Sequence, residues 1–345
     1  MRTAKFDYNL PEELIAQAPS ADRDHSRLMV LDRAGQTIGH KHFYDIADYF
    51  QPGDLLVLNN TKVIPANLTG CKIDGGAKVE VLLSKQMQNT DPDKKIFECL
   101  VKPGKKLKVG DWIVFNEGEV SGVVIEKTTS GEQIIDFSGD LWGYMKKEGE
   151  LPLPPYVKTN RHSPELQGRY QTVFAEKEGA AAAPTAGLHF TPELLAKIEA
   201  RGVKIAYVTL HTGLATFKPI YAENIEDHHM YSEAFEVPAE TIALLGEAKR
   251  VVAVGTTAIR TLETIADHVK AGSREGVKGE TALFIYPGYQ FKLVDAIITN
   301  FHFPRTSLIV LVAAFAGLDL TLEAYKTAVR EKYRFYSFGD AMLIL

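Results

Sequence analysis

The sequence is poor in cysteine: its 345 residues include two, Cys71 and Cys99. Two thiols cannot form the disulfide framework of a small secreted domain, and neither lies in the spacing of a zinc site. The N-terminal segment carries charges throughout and lacks the apolar core of a signal peptide. One strongly apolar stretch, Ser307–Gly317, has about half of the roughly 20 residues that cross a bilayer, so we predict a buried helix there. We therefore expect a cytosolic protein without a metal site.

Familiar catalytic motifs are also missing. The sequence contains no G-x-G-x-x-G, Walker A, G-x-S-x-G or H-E-x-x-H. This absence excludes the usual nicotinamide, nucleotide, hydrolase and zinc-protease interpretations. The net charge of −5 argues against nucleic-acid binding over the whole surface, although a local basic patch remains compatible with it.

Between about Gly70 and Gly139, short β-patterned runs alternate with turn clusters, with no helix between them. This texture predicts a small antiparallel β-barrel, inserted into a larger domain. The predicted barrel strands are Lys78–Leu83, Ile96–Val101, Asp111–Phe115, Val120–Glu126 and Glu132–Phe137.

Outside this segment strands and helices alternate, which predicts an α/β domain with a mixed β-sheet flanked by helices. Thr191 is a good N-cap for a helix that runs to Arg201, and Gly202 supplies its stop. The main domain is predicted to span residues 1–69 and 151–345, and the barrel residues 70–150. The other predicted strands are Leu28–Asp32, Asp54–Leu58, Val203–Leu210, Val251–Val254, Leu283–Tyr286 and Val294–Thr299, and the other predicted helices are Thr241–Lys249, one from Gly255 through His268, and the apolar one from Ser307.

Two histidine loops lie where ligands of open α/β sheets usually bind, at strand ends or helix starts. In AAAAPTAGLHF, small residues beside Gly187 allow a ligand to approach the backbone, and His189 precedes the helix. In VTLHTGLATF, His211 ends a strand and Gly213 turns the chain. For both histidines a structural role is the alternative.

Two further segments concentrate polar groups. In the cluster Glu226–Glu233, adjacent His228 and His229 diverge on a helix or a strand, so a catalytic group is favoured over a metal site. In VGTTAIRTLE, Gly255-Thr256-Thr257 begins a helix and offers an anion site, although an ordinary helix start has the same appearance. TNFHFPRTS places His302 and Arg305 ahead of the apolar helix.

Together these segments resemble the signature blocks of the S-adenosylmethionine:tRNA ribosyltransferase-isomerase family of the queuosine pathway. The resemblance runs in order from Phe6 to Leu345 and is weaker only across the predicted barrel. The blocks are FDYNLPEELIAQAP, SRLMVLD, GDLLVLNNTKVIPA, RYQTVFA, AAPTAGLHFT, the strand ending in LH with its following TF-K-P, VGTTAIRTLE, FIYPGYQFKLVDAIITNFHFPRTSL and RFYSFGDAML.

The resemblance implies an enzyme that consumes S-adenosylmethionine as a ribosyl donor, with no cofactor and no metal. A base removes a C5′ proton that the sulfonium acidifies, adenine and methionine leave, and the amine of preQ1 at the wobble position of tRNA attacks the sugar. The product is epoxyqueuosine. Such chemistry needs a general base, an acid for adenine and an anion site for the methionine carboxylate. The implied partners are preQ1-bearing tRNA and S-adenosylmethionine, with no membrane, and we expect a monomer.

Under this resemblance His189 and His211 are acid/base candidates, since histidine titrates near neutral pH. Glu233 or Asp295 is the alternative base. Gly255, Thr256 and Thr257 with Arg260 would hold an anionic group, and Tyr286 with Phe301 would stack on adenine. The candidate substrate-binding residues are Thr185, Gly187, Gly213, Gly255, Thr256, Thr257, Arg260, Tyr286, Asn300, Phe301 and His302.

Clustered cations would contact the tRNA phosphates. A solvated charged face is the alternative for any one cluster. The candidates are Lys102, Lys105, Lys106 and Lys108 on the predicted barrel, and Lys158, Arg161 and Arg169 beyond the Pro-rich joint.

The chain departs from the family pattern at three positions. Ala215 stands where members carry glycine, Asn67 where they carry arginine, and Tyr231 where they carry histidine. Alanine for glycine matters only where φ is positive. These differences leave a reduced or shifted activity open. Two other functions remain: a methyltransferase that uses S-adenosylmethionine, and a catalytically silent RNA-binding protein.

Overall fold

The structure, a computed structural model, describes residues 1–87, 91, 94–128, 131–154, 156–158, 163–213 and 219–345, with the backbone alone for Lys85 and Lys106. The chain divides into two compact units. The main unit comprises Met1–Lys62, Pro155–Glu178 and Ala183–Leu345, and the barrel unit comprises Val63–Pro154 and Gly179–Ala182. The boundaries predicted at 69/70 and 150/151 both fall inside the barrel unit.

Strands and helices are numbered in chain order. The strands are β1 (Arg27–Asp32), β2 (Thr37–His42), β3 (Asp54–Asn59), β4 (Thr61–Val63), β5 (Asn67–Lys72), β6 (Lys78–Gln86), β7 (Lys95–Lys102), β8 (Trp112–Phe115), β9 (Val120–Lys127), β10 (Gln133–Gly139), β11 (Lys177–Ala180), β12 (Lys204–Leu210), β13 (Glu233–Val237), β14 (Arg250–Val254), β15 (Val277–Thr281), β16 (Ala296–Asn300) and β17 (Ala341–Ile344). The α-helices are α1 (Leu141–Glu148), α2 (Pro164–Arg169), α3 (Pro192–Glu199), α4 (Ala239–Glu247), α5 (Gly255–Thr264), α6 (Ala266–Lys270), α7 (Ser307–Ala316) and α8 (Leu318–Arg330). Short 3₁₀ helices lie at Thr3–Phe6, Glu12–Leu14, Arg23–His25, Phe43–Tyr49, Gly104–Lys106, Asn116–Gly118, Thr185–His189 and Ile225–Asp227.

A nine-stranded mixed sheet forms the centre of the main unit, in the order β15-β13-β12-β3-β14-β16-β17-β1-β2. The four consecutive strands β12, β3, β14 and β16 are parallel to one another. The outer strands β13, β15 and β2 pair antiparallel with their neighbours. The predicted mixed α/β sheet is confirmed.

Both faces of this sheet are covered, which explains why its central strands are continuously apolar. In β3, Leu55 and Val57 pack into the core on one face, and Leu56 and Leu58 into the core on the other. Successive side chains of a strand point to opposite faces, so one apolar run contributes to two cores. These rigid strands fix the positions of the loops that follow them.

The structure largely agrees with the predicted ends of the helices and divides one predicted helix into two. The Thr191 hydroxyl accepts the amide of Leu194 at 3.1 Å and caps α3, and Gly202 follows it at φ +82°. The predicted helix from Gly255 through His268 is two helices, α5 and α6, which meet at Ile265. The apolar stretch from Ser307 is the buried helix α7.

The barrel unit contains a closed barrel in the strand order β10-β7-β6-β5-β8-β9, which confirms the predicted barrel. Its additional strand, β5, was not predicted, because it crosses the predicted domain boundary at 69/70. Gly70 lies inside β5 instead. A Cβ there would come within 2.8 Å of side-chain atoms of Ile113 and Phe115, so glycine is required by packing in the barrel interior.

One predicted strand is wrong. Leu283–Tyr286 is not a strand, and the preceding Val277–Thr281 forms β15 at the sheet edge instead. Within the wrongly predicted strand, the carbonyl of Leu283 accepts a hydrogen bond from the Arg260 side chain and is thus bound to a side chain and not to a neighbouring strand. The strands β2, β4, β11, β13 and β17 were also not predicted.

Among the described residues, no single helix has both the length and the apolar character needed to span a membrane. The pair α7 and α8 meets these criteria only when taken together, and the two helices are bent by 118°.

Candidate active site

The site lies at one edge of the parallel part of the sheet. Because β12, β3, β14 and β16 are parallel, their carboxyl ends meet at the same edge. Asn59 ends β3, His211 follows β12, Gly255 follows β14 and Asn300 ends β16. The strand-end residues of several predicted loops are therefore brought together in the main unit.

Asn59 ties these strand ends to one another. Its Oδ1 accepts the backbone amides of Thr61 and Leu210, each at 3.1 Å. Its Nδ2 donates to the Leu210 carbonyl and to the Thr257 hydroxyl, each at 3.1 Å. All of these groups are buried, where hydrogen bonds hold geometry most firmly. The side chain of Asn59 therefore fixes β3, β12 and α5 relative to one another.

The two residues after Asn59 also bind residues at the end of β12. The Thr209 hydroxyl donates to Oδ1 of Asn60 at 2.7 Å, and Thr61 Oγ1 lies 2.8 Å from Nδ1 of His211. This Asn-Asn-Thr segment is not among the predicted site residues. Its only sequence signal is its position, directly after a buried strand within a family block.

His211 is half-buried, and burial lowers its pKa below the ordinary value, with Glu236 acting in the opposite direction. Within the described part of the chain, its ring is hydrogen-bonded through Nδ1. The predicted loop after it, from residue 214 to residue 218, lies outside the described residues. His211 thus combines partial exposure with a fixed ring position, as a general acid or base requires.

His189 is buried and is held on both ring nitrogens. Its Nε2 lies 3.2 Å from Nδ2 of Asn300, which also donates to the Tyr336 carbonyl at 3.0 Å. Because that amide nitrogen donates, the network assigns Nε2 as the acceptor and gives the ring proton to Nδ1, 2.8 Å from Ser26 Oγ. The ring stacks on Phe43. Burial lowers the pKa of His189 to about 4, so it stays neutral at pH 7.

His302 is a second buried, neutral histidine. Its Nε2 lies 2.8 Å from the Thr299 hydroxyl, and its backbone amide donates to Tyr325 Oη at 3.1 Å. Its carbonyl accepts the Tyr8 hydroxyl. Burial lowers the pKa of His302 to about 3. These contacts tie it to the core, so its predicted role in substrate binding has no support from its surroundings.

Three buried polar atoms near this edge have no hydrogen-bond partner among the described residues. They are Thr212 Oγ1, Asn300 Oδ1 and the Tyr336 hydroxyl, each on a residue that is 5% exposed or less. Such atoms are rare in folded proteins and call for an explanation, such as a partner outside the chain. Tyr336, which is not among the predicted site residues, also has a left-handed backbone with φ +73°, a conformation that concentrates at functional sites.

The helix start of α5 is the predicted anion site. Gly255 has φ +83°, which favours glycine. The N-cap residue, Val254, makes no side-chain cap hydrogen bond. Val254 therefore provides no side-chain cap for the first amides of α5, and Thr256 and Thr257 beside them carry hydroxyls. This arrangement suits a carboxylate or a phosphate.

Arg260 is not available for that anion. Its guanidinium forms a buried ion pair with Glu233 and donates to the carbonyls of Thr281 and Leu283. The same pair removes Glu233 as an alternative base, because its carboxylate is held by Arg260 and also accepts the amide of Gly213 at 3.2 Å. Both residues stabilise the site instead of contacting a ligand.

Asp295 and Phe301 are also corrected by their surroundings. Asp295 precedes β16 and accepts the Val251 amide at 2.8 Å, so it lies at the opposite edge of the sheet. Phe301 is fully buried among the rings of Tyr325, Tyr333 and Phe335, so it cannot stack on adenine.

Other predicted ligand contacts differ in their positions. Tyr286 is 37% exposed and remains open to a ligand. Thr185 is half-buried in the 3₁₀ helix Thr185–His189. At Gly187 a Cβ would approach Phe174 Cζ to 2.8 Å and Thr172 Cγ2 to 2.9 Å. The space beside Gly187 is therefore filled by the protein and not left for a ligand.

The acidic-histidine cluster is dispersed. Glu226 pairs with the N-terminal amine, His228 packs edge-on against Phe284, and His229 is exposed. Within the described ranges, no group of three or more histidine, cysteine or carboxylate residues is arranged to hold a metal. Arg305 is exposed with φ +57°.

The predicted tRNA-binding cations separate into three groups. On the barrel unit Lys102, Lys105 and Lys108 are exposed, and the side chain of Lys106 is not described. In the main unit Lys158 pairs with Glu12. Arg169 donates to the carbonyls of Ser20 and Ala21, each at 2.7 Å, which gives it a structural role. Arg161 lies outside the described residues.

The three departures from the family pattern are distributed as follows. Asn67 forms a backbone bridge with Glu150 in the barrel unit. Tyr231 is 42% exposed. Ala215 lies outside the described residues.

Fold and site together define an α/β protein whose parallel strands end in a cluster of polar side chains, the arrangement that enzymes of this architecture use for small polar ligands. A sequence profile for a family described as queuosine biosynthesis protein matches residues 3–344. The chain belongs to this family.

Individual relatives extend over the whole chain. The S-adenosylmethionine:tRNA ribosyltransferase-isomerase of Halothermothrix orenii is 50% identical over 351 residues, and that of Staphylococcus aureus (strain Newman) is 49% identical over 352 residues; both matches cover 100% of each chain. The crystal structure of S-adenosylmethionine tRNA ribosyltransferase from Thermotoga maritima is 43% identical, covers 99% of this chain and 100% of that chain, and superposes with a TM-score of 0.56. The family resemblance expected from the signature blocks is confirmed.

Proposed function

We propose that this chain is an S-adenosylmethionine:tRNA ribosyltransferase-isomerase. It transfers and isomerises the ribosyl moiety of S-adenosylmethionine onto preQ1 at the wobble position of tRNA, and it gives epoxyqueuosine, adenine and methionine. The observation that carries this proposal is the 49 to 50% identity to enzymes of that name over the full length of both chains.

His211 is the proposed acid/base residue, and His189 is not. Proton transfer needs a nitrogen that substrate can reach and a pKa close to the working pH. His211 is half-buried with one ring nitrogen hydrogen-bonded to Thr61. Both nitrogens of His189 are engaged, and its pKa lies at about 4. We assign His189 the role of positioning Asn300.

The methionine carboxylate is proposed to bind at the start of α5. The amides of Gly255, Thr256 and Thr257 supply donors there, and the helix dipole favours a negative charge. Arg260 is excluded from this role by its pairing with Glu233.

Three buried polar groups are proposed to contact other parts of the substrate, because a ligand would supply the partners that they lack. These groups are Thr212 Oγ1, Asn300 Oδ1 and the Tyr336 hydroxyl. Tyr286 remains the candidate for stacking on adenine, since it is exposed and aromatic.

The reaction needs no resident cofactor or metal in this proposal. The sulfonium of S-adenosylmethionine both acidifies the C5′ protons and provides the leaving group, so substrate supplies the electrophilic activation.

Because the partner is a tRNA, we also propose a cytoplasmic location. The three barrel lysines are the proposed phosphate contacts. We further propose that one chain suffices, which light scattering at working concentration tests directly.

Incubation with preQ1-bearing tRNA and S-adenosylmethionine, followed by nucleoside analysis and quantification of small products, tests the function. We expect epoxyqueuosine in the tRNA and equal amounts of adenine and methionine. Formation of S-adenosylhomocysteine would assign a methyltransferase instead. Binding of the tRNA without release of adenine would assign a silent RNA-binding protein.

A further inference from the structure

The segment Asn59–Thr61 fastens consecutive residues of the chain at the end of β12. The Asn59 side chain binds both the backbone amide and the backbone carbonyl of Leu210. Asn60 holds the hydroxyl of Thr209, and Thr61 holds the ring of His211. One strand end therefore determines the position of another, and the last of these contacts reaches the side chain to which proton transfer is assigned.

Thr61 is fully buried, and its hydroxyl lies 2.8 Å from Nδ1 of His211. The nitrogen that a histidine leaves for chemistry is set by the hydrogen bond on the other nitrogen. With Nδ1 occupied, Nε2 is the atom that remains for substrate. The geometry therefore selects one ring nitrogen.

We propose that Thr61 is a positioning residue of the ribosyl transfer, which fixes the orientation of the His211 ring so that Nε2 meets the substrate. This inference rests on the proposed function. A hydroxyl suits the role because it both accepts and donates. It accepts from Nδ1–H when Nε2 is the basic nitrogen or when the ring is an imidazolium, and it donates to Nδ1 when Nε2 carries the proton.

A carboxylate at this position would act differently, because it accepts only and would stabilise the imidazolium. Glu236 is the charged group that raises the pKa of His211, and it is itself paired with Lys278. The pKa of His211 nevertheless lies below its ordinary value because burial is the larger effect. A neutral partner thus keeps the ring able to move a proton in either direction.

The test compares Thr61→Val, which keeps the shape and removes the hydroxyl, with Thr61→Ser, which keeps the hydroxyl. We expect Thr61→Val to lower kcat for adenine release by about 10- to 100-fold, part of the usual contribution of acid/base catalysis. KM for S-adenosylmethionine should stay nearly constant, and the pH–rate profile should shift. Thr61→Ser should restore kcat to within about threefold of wild type, since the oriented ring is retained.

Thr241→Val is the matched control. Thr241 is also a buried threonine; it lies on α4, and its hydroxyl donates to the carbonyl of Tyr207 in β12 at 2.8 Å, away from His211. The Thr241→Val variant loses one buried hydrogen bond, as Thr61→Val does, but its kcat and pH profile should match those of wild type. Equal kinetic losses in the two variants would reduce Thr61 to a general structural role.

The double variant Thr61→Val/His211→Asn separates this inference from the proposed function. If Thr61 acts through His211, its substitution costs nothing further once the imidazole is gone. A wild-type enzyme that releases no adenine overturns the proposed function itself. An active enzyme in which His211→Asn is inactive, while Thr61→Val keeps the wild-type kcat and pH profile, overturns only the positioning role.

Discussion

Arg260 and Glu233 form an ion pair inside the main unit, and each of the two side chains is less than a tenth exposed. Arg260 lies on α5, whereas Glu233 begins β13 and also accepts the amide of Gly213. The pair therefore fastens the proposed carboxylate-binding helix to the turn that follows His211. Its role is to hold the site together, which makes its removal a matter of stability.

Replacement of Arg260 by methionine should destabilise the protein by about 3–5 kcal/mol, because it leaves the Glu233 carboxylate buried without its partner. Urea unfolding measures this loss. The control is Lys278→Met, which breaks the pair between the exposed Lys278 and the half-buried Glu236 and should leave the free energy of unfolding close to wild type. An Arg260→Met variant as stable as that control would show that the pair does not support the fold.

His189 and His211 look equivalent in the sequence, but substitution of the first should lower stability, whereas substitution of the second should lower the catalytic rate. His189→Ala removes a buried ring from Phe43, Ser26 and Asn300, so we expect a stability loss of about 2–4 kcal/mol. His211→Asn should lower kcat by about 10²–10⁴ with a nearly unchanged midpoint of thermal unfolding. Adenine release and thermal unfolding, measured on both variants, check this division. The assignment is wrong if His211→Asn keeps the wild-type rate.

Much of the architecture follows from local pattern. Alternation in the barrel strands and the continuous apolar run of β3 are properties of neighbouring residues, so the barrel and the sheet could be predicted. β13 was not, because its sequence, Glu233–Val237, begins with a charged residue. That charge is satisfied by Arg260, a partner 27 positions away, which no local pattern reveals.

The same limit applies to the site. His211 and the start of α5 could be located because each follows a buried strand. Local sequence could not show that Arg260 is already paired, or that Phe301 is enclosed by rings from α8 and the residues after it. Nor could it show that Thr61 meets His211 across 150 positions. Such pairings arise only when the strands are assembled.

Acid should destabilise this protein through His302 and His189. Burial lowers the pKa of the first to about 3 and of the second to about 4, from an ordinary value of 6.5. Well above pH 6.5 both histidines are neutral in the folded and in the unfolded protein, so they give no pH dependence. As the pH falls from 6.5 toward 4, each histidine binds a proton in the unfolded chain but stays neutral in the native protein. Stability is therefore lost, by up to about 1.4 kcal/mol per pH unit for each histidine.

Urea unfolding of wild type and His302→Gln between pH 7 and pH 4 isolates the contribution of one histidine. Glutamine keeps a hydrogen-bonding group near Thr299 but does not titrate. The variant should lose stability less steeply below pH 6.5, with a difference in slope of about 1 kcal/mol per pH unit. Identical slopes would mean that His302 binds its proton in the native state.

Tyr336→Phe should separate binding from stability. The Tyr336 hydroxyl is buried without a partner among the described residues, so its removal costs no hydrogen bond and should raise the stability of the free protein by up to about 1 kcal/mol. If substrate supplies the partner, KM for S-adenosylmethionine should rise. The control is Tyr325→Phe, which removes the hydroxyl that accepts the His302 amide and should lower stability. An unchanged KM in Tyr336→Phe would remove this residue from the binding site.

The barrel lysines offer a test that depends on salt. Lys102, Lys105 and Lys108 are exposed, and each phosphate contact contributes about 0.7–0.9 to the slope of log affinity against log salt. Replacement of all three by glutamine should weaken tRNA binding at low salt and reduce the magnitude of that slope by about 2 to 3. Fluorescence anisotropy with labelled tRNA at several salt concentrations measures both quantities.

The matched control replaces three exposed lysines on helices of the main unit, Lys197, Lys270 and Lys326, and changes the net charge by the same amount. Long-range attraction depends on net charge and falls equally in both triple variants. Only direct contacts release bound counterions and alter the slope. A slope reduced in the barrel variant alone therefore identifies the barrel as a phosphate-contacting surface, whereas equal slopes in the two variants reduce its lysines to a solvated charged face.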